Sequence, residues 1–260
     1  MQPPSVLVKL FQIPETSQLI AKATSPAFED RKSLLFRDPR RTSIILNTID
    51  DLRRYASSID RGIDWPAREQ SIVTLLMSSF PTWLAENCVG IYGHVHGDPN
   101  SRNILVCPKN SSDLRLIDCG GYNPQGLLVH DLAQMETDVK LSLLETEEGG
   151  GFMDLDANKL PEWVGIESGI LRAGLSCDES LAKVLARGRV SLYPAYTLIC
   201  QIRRVAYDLC RDIDAAGRHY FASLLYWNLK WLRLPTVRRT KKLLALYSAS
   251  EILAKFETYS

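Results

Sequence analysis

His96-Gly97-Asp98-Pro99-Asn100-Ser101-Arg102-Asn103-Ile104-Leu105-Val106, followed by Leu116-Ile117-Asp118-Cys119-Gly120-Gly121, is the stretch on which the reading of this chain turns. An aspartate and an asparagine stand on a turn that leads into an apolar run, and a second aspartate closes the next apolar run just before two glycines. Between the runs, Pro108-Lys109-Asn110-Ser111-Ser112-Asp113 is built of turn-formers, which predicts a hairpin connection. Two oxygen donors at the mouths of adjacent strands can hold a magnesium ion, and a third carboxylate beside them can accept a hydroxyl proton. Asp and Asn are also common in turns for their own backbone hydrogen bonds, so order and spacing carry the reading rather than residue type alone.

Outward from this centre, Gly90–Val95 forms another short β-branched run, and the flanking sequence changes to a helical period. Upstream, Ile44, Ile45, Ile49, Leu52 and Tyr55 predict a helix over 43–60, and Pro66 opens a second one running through Ile72, Leu76 and Trp83 to about Cys88. Downstream, helices are expected over 127–145, 178–188, 191–213, 216–233 and 236–257. The acidic, glycine-rich stretch 145–162 reads as a loop. Prolines 3, 4, 14, 26 and 39 cut residues 1–42 into pieces too short for a long helix.

A chain of 260 residues, 45% hydrophobic and 23% charged, has ordinary globular composition, and its net charge of +1 gives no global field favouring nucleic acid or a membrane surface. No apolar run reaches spanning length, because Leu224 to Leu234 is broken by Asn228, Lys230 and Arg233. The six cysteines contain no C-x-x-C pair and the first residues lack a signal-peptide pattern, so a reducing cytoplasm is the expected compartment.

The run H-G-D-x-x-x-x-N-I-L-V, a hairpin, L-I-D-C-G and a following Asp131-Leu132-Ala133 resemble the carboxy-terminal lobe of aminoglycoside and choline-kinase-type phosphotransferases, relatives of protein kinases. The resemblance implies a mainly helical α+β fold, a kinase-like carboxy-terminal lobe with a small β-hairpin next to the catalytic loop. It implies Asp98 as catalytic base, Asn103 and Asp118 as magnesium ligands, and Mg2+ with ATP as cofactors. His96 and Asp131 would brace the loop, Asp131 by accepting hydrogen bonds from its amides, and Cys119 would be a packing residue. Tyr220-Phe221-Ala222-Ser223, Trp231-Leu232-Arg233 and Arg238-Arg239 resemble the closing helices of kinase-like domains in bacterial ternary conflict systems. The two resemblances span about residues 66–260, leaving 1–65 as an amino-terminal helical segment.

The pattern departs from a complete kinase upstream. The first glycine is Gly62, so a glycine-rich phosphate loop is missing, and Lys9, on Val6-Leu7-Val8-Lys9 with Glu15 or Glu29 as partner, is the candidate for the phosphate lysine. A fragment of a longer protein, a partner that supplies the missing lobe, and a non-catalytic interaction module of a multi-component defence or signalling system all remain open. Residues 215–250 contain seven Lys or Arg and no acid, interleaved with aromatics. Amphipathic helices with solvated basic faces are the commoner form of such a pattern, against a nucleic-acid surface. The expected acceptor is the hydroxyl of a neutral or anionic small molecule, or of a protein surface, because polycationic aminoglycosides would need acids where this tail is basic.

Overall fold

The computed structural model describes residues 19–21, 39–59, 62–77, 90–107, 110–142, 160–185, 193–212 and 217–257. In chain order these form β1 (Leu19–Ala21), α1 (Pro39–Ile59), α2 (Trp65–Met77), β2 (Gly90–Val95), a 3-10 turn (Ser101–Asn103), β3 (Ile104–Cys107) and β4 (Asn110–Leu116). A second 3-10 turn (Cys119–Gly121), β5 (Asn123–Leu127), α3 (Leu128–Ser142), α4 (Leu160–Ala173), α5 (Glu179–Leu185), α6 (Tyr193–Cys210), α7 (Arg218–Arg233) and α8 (Arg239–Glu257) complete them. The fold is mainly helical with small antiparallel sheets. None of the described helices is long and apolar enough to cross a membrane.

The chain folds as two compact units, one drawn from residues 1–23, 89–144 and 174–223, the other from 24–88, 145–173 and 224–260. In the first, β2 is the middle strand of an antiparallel sheet between β1 and β5, pairing Leu19 with Tyr92 and Tyr92 with Leu127. The register shifts between Gly93 and Val95. β3 and β4 form a separate hairpin, with Ile104 opposite Leu116. β4 begins at Asn110, so the turn residues Asn110 to Asp113 are strand, and the connection is shorter than their composition predicts. β5 was not expected: Asn-Pro-Gln-Gly-Leu has no β-branched residue, and the segment is a strand because it pairs with β2.

Helix α3 packs on β2 and β5, and α6 packs on α3 and α5. Every residue of α3 from Asp131 to Leu141 is buried, although Asp131, Gln134, Glu136, Thr137, Asp138 and Lys140 are polar. Burying such groups is tolerable only where each finds a hydrogen-bond or charge partner. Glu136 meets Arg203 on α6 through two bonds, Nε to Oε2 at 2.8 Å and Nη2 to Oε1 at 2.7 Å, and Lys140 Nζ lies 2.6 Å from Oε1. The Tyr220 hydroxyl donates to Glu136 Oε2, and Arg203 Nη1 donates to the Gly174 carbonyl at 2.8 Å. Burial alone would raise the Glu136 pKa, yet Arg203 and Lys140 hold it well below the usual carboxylate range. Burial, and next the Glu136 charge, push the Tyr220 phenol well above its ordinary value.

In the second unit α8 packs against α1, α2 and α4. Ile45, Ile49 and Leu52 of α1 and Ile72 and Leu75 of α2 bury the stripe that the helical period marked. Leu160, Trp163 and Ile170 are buried on α4, a helix that begins inside the stretch read as a loop. Arg68 donates to Ser250 Oγ at 2.8 Å and Glu251 Oε1 at 2.6 Å, and its guanidinium lies 3.9 Å from the Tyr247 ring centroid. Ser248 Oγ donates to the buried Glu167 carboxylate at 2.6 Å. Pro39 opens α1, four positions before the expected start, as suits its fixed φ at a first turn.

The cysteines depart from the expectation in two ways. Cys177 and Cys200 form a disulfide with Cα atoms 4.9 Å apart, a pairing that no close sequence spacing announced. Cys119, read as a packing residue, is exposed.

Candidate functional site

The stretch from His96 to Asn103 leaves β2, crosses an open loop and enters β3 through the first 3-10 turn. It is held from below by one face of α3. Asp131 Oδ2 accepts from the His96 amide at 2.7 Å and Oδ1 from the Gly97 amide at 3.1 Å. Three residues on, Gln134 Nε2 donates to Asp98 Oδ1. A turn further, Asp138 Oδ2 accepts from the Ser101 amide at 2.8 Å. Positions i, i+3 and i+7 share one helix face, so a single helix fixes the start, the centre and the exit of the loop.

The second loop joins the first through His96 and a pair of glycines. The His96 Nε2 donates to the Ile117 carbonyl at 2.8 Å, while Nδ1 accepts from the Asp98 amide at 3.3 Å, which places the imidazole proton on Nε2. Gly97 has φ +84°, and a Cβ there would lie 2.0 Å from the Gly121 carbonyl oxygen. Only glycine permits that backbone and that approach. The Ile117 amide donates to the Asn103 carbonyl at 2.9 Å, so Asp118 and Asn103 stand at the same end of the hairpin.

Each candidate side chain has a definite setting. Asn103 is buried and its Nδ2 donates to the Asp98 carbonyl at 2.9 Å and to Asp98 Oδ2 at 3.3 Å. With the nitrogen so committed, Asn103 Oδ1 faces away from Asp98. Asp118 is exposed and has left-handed backbone angles, φ 58° and ψ 57°, the one non-glycine with positive φ among the described residues. Asp tolerates that region better than most residues, and such conformations concentrate at functional loops. At the rim, His94 Nδ1 and the Tyr122 hydroxyl are hydrogen-bonded on the surface. Lys9, Glu15 and Glu29 lie outside the described residues, as does loop 145–159, and among the described residues no three His, Cys, Asp or Glu side chains gather as a metal cage.

The sequence reading named Asp98, Asn103, Asp118, His96 and Asp131, which the structure brings to one place. It missed Gln134 and Asp138. Their signal was available in the i+3 and i+7 spacing from Asp131, which puts all three on one helix face.

Residues 83–233 match the family model of ternary complex associated domain 9, more than half of the chain. No curated protein and no solved structure matches the chain. The chain belongs to the ternary complex associated domain 9 family.

Proposed function

We propose that this member of the family is a kinase-like phosphotransferase domain that transfers the γ-phosphoryl group of Mg-ATP to a hydroxyl acceptor. The observation that carries the reading is the meeting of two loops, Gly97 against Gly121, with Asp98, Asn103 and Asp118 on them. Phosphoryl transfer asks a protein mainly for positioning and charge neutralisation, and these are the groups such a site needs. Asp98 would accept the proton of the acceptor hydroxyl. Asn103, whose Oδ1 faces away from Asp98, and the exposed Asp118 would hold magnesium. That ion keeps several waters and takes one or two protein oxygens beside those of the phosphates, so a lone amide and carboxylate fit it without a dedicated cage. Bound Mg-ATP supplies the phosphoryl group. Lys9 remains the candidate to hold its phosphates.

The basic stretch 215–250, with seven Lys or Arg and no acid, supports a neutral or anionic acceptor or a protein surface. A nucleic-acid face built on aromatic stacking has less support, because Tyr220, Phe221 and Trp227 are buried and Tyr226 and Trp231 are only partly exposed. A second reading, a non-catalytic interaction module of a multi-component bacterial assembly, is favoured by the family's name, which speaks of association in a ternary complex.

Calorimetry with Mg-ATP, repeated with ATP and EDTA, separates the two. The phosphotransfer reading expects weak, magnesium-dependent binding that Asp118→Ala abolishes, and release of γ-phosphate that Asp98→Asn abolishes. An absence of magnesium-dependent heat at millimolar nucleotide would leave the interaction module as the function.

A further inference from the structure

We propose that Gln134 is a positioning residue for Asp98, a buried amide that leaves its own carbonyl unpaired in order to hold the Asp98 carboxylate in one orientation. Only its catalytic consequence rests on the phosphotransfer reading; the geometric part stands without it.

Gln134 is 5% exposed and sits between Asp131 and Asp138 on the face of α3 that supports the loop. Those two neighbours use carboxylates to collect backbone amides. Gln134 instead addresses a side chain, donating through Nε2 to Asp98 Oδ1. The other carboxylate oxygen, Oδ2, receives the Asn103 amide at 3.3 Å, a long contact for a hydrogen bond. Asp98 is thus clamped by two amides, one from α3 and one from the loop's own exit. The amide cannot be turned over, because Oε1 would then face a carboxylate oxygen.

The clamp leaves Gln134 Oε1 buried with no hydrogen-bond partner. A buried acceptor left unpaired lowers stability, and an apolar side chain of the same length would fill the space without that loss. Folding alone therefore does not ask for glutamine here. A local rule broken in the core, with the single hydrogen bond directed at a candidate catalytic carboxylate, is the pattern expected where function sets the residue.

The test uses Gln134→Met and Gln134→Leu in the full chain, with three measurements. Both variants should melt cooperatively at or above the wild-type temperature. Their crystal structures should keep the backbone of α3 and of residues 96–103 and show the Asp98 side chain in a new rotamer or divided between two. Release of γ-phosphate from Mg-ATP should fall about 100-fold in kcat with KM for ATP unchanged, the size expected for displacing a reacting group by about an ångström. An Asp98 carboxylate that keeps its wild-type place in both variants would overturn the inference. So would loss of the cooperative melt in both, which would make Gln134 a folding residue. Asp98→Asn serves as the reference: should it leave phosphate release unchanged, the phosphotransfer reading fails, and the positioning role is decided by the rotamer and the melt alone.

Discussion

Gly97 shows how a single residue sets the site. Its φ of +84° and the 2.0 Å that would separate a Cβ from the Gly121 oxygen mean that any side chain must push the two loops apart. Gly97→Ala is expected to lose about 1–3 kcal/mol in urea denaturation, the usual strain of a non-glycine forced into such a conformation. A variant within a few tenths of a kcal/mol of wild type would show that the loops are not held by this contact. The grouping of Asp98, Asn103 and Asp118 was legible because their order and spacing along two apolar runs place them at one end of a hairpin; their chemical roles belong to the proposal. The left-handed backbone of Asp118 was not legible, since the glycines after it announce a turn without saying which residue bears the positive φ.

At the scale of the element, α3 joins two tasks on two faces. Asp131, Gln134 and Asp138 hold the loop, while Glu136 pairs with both Arg203 and Lys140. Glu136→Ala leaves the Arg203 guanidinium buried without its carboxylate and is expected to cost about 3–5 kcal/mol, measurable by chemical denaturation. The same carboxylate makes stability depend on acid. Its folded pKa lies below the ordinary 4.5, so its contribution is complete above about pH 4.5 and is lost as pH falls from there through the folded value. Melting temperature followed downward from pH 6 should drop below about pH 4.5, and Glu136→Gln should flatten that slope. A variant with an unchanged slope would assign the acid sensitivity to other carboxylates.

Helical period was legible wherever a helix keeps one apolar stripe, as in α1. In α3 it gave the helix but not its burial, because alternating charges look the same whether solvent or Arg203 answers them. The strand β5 and the helix α4 were hidden for opposite reasons. One forms by pairing alone, and the other starts at Leu160 directly after a glycine-rich acidic stretch that resembles a linker.

For the whole molecule, near-neutral net charge conceals a local bias, since 215–250 is wholly basic in its ionisable Lys, Arg, Asp and Glu content. A kanamycin-like polycation is therefore expected not to bind saturably, and expression of the chain should not protect bacteria against such drugs. Saturable binding that weakens with salt and disappears when Asp154 and Asp156 are neutralised would show this inference from charge to be wrong.

The two units are threaded alternately: residues 24–88 and 145–173 belong to the second, and its last segment begins only at 224, after the whole of the first. On the ribosome, where about 5–20 residues are added each second, α1, α2 and α4 must wait for α8 before their shared apolar surface can close. A nascent chain stopped at Ser223 would already hold every segment of the first unit and only two of the three that build the second. From there until Glu257 closes α8, the apolar faces of α1, α2 and α4 stand without the helix they pack against.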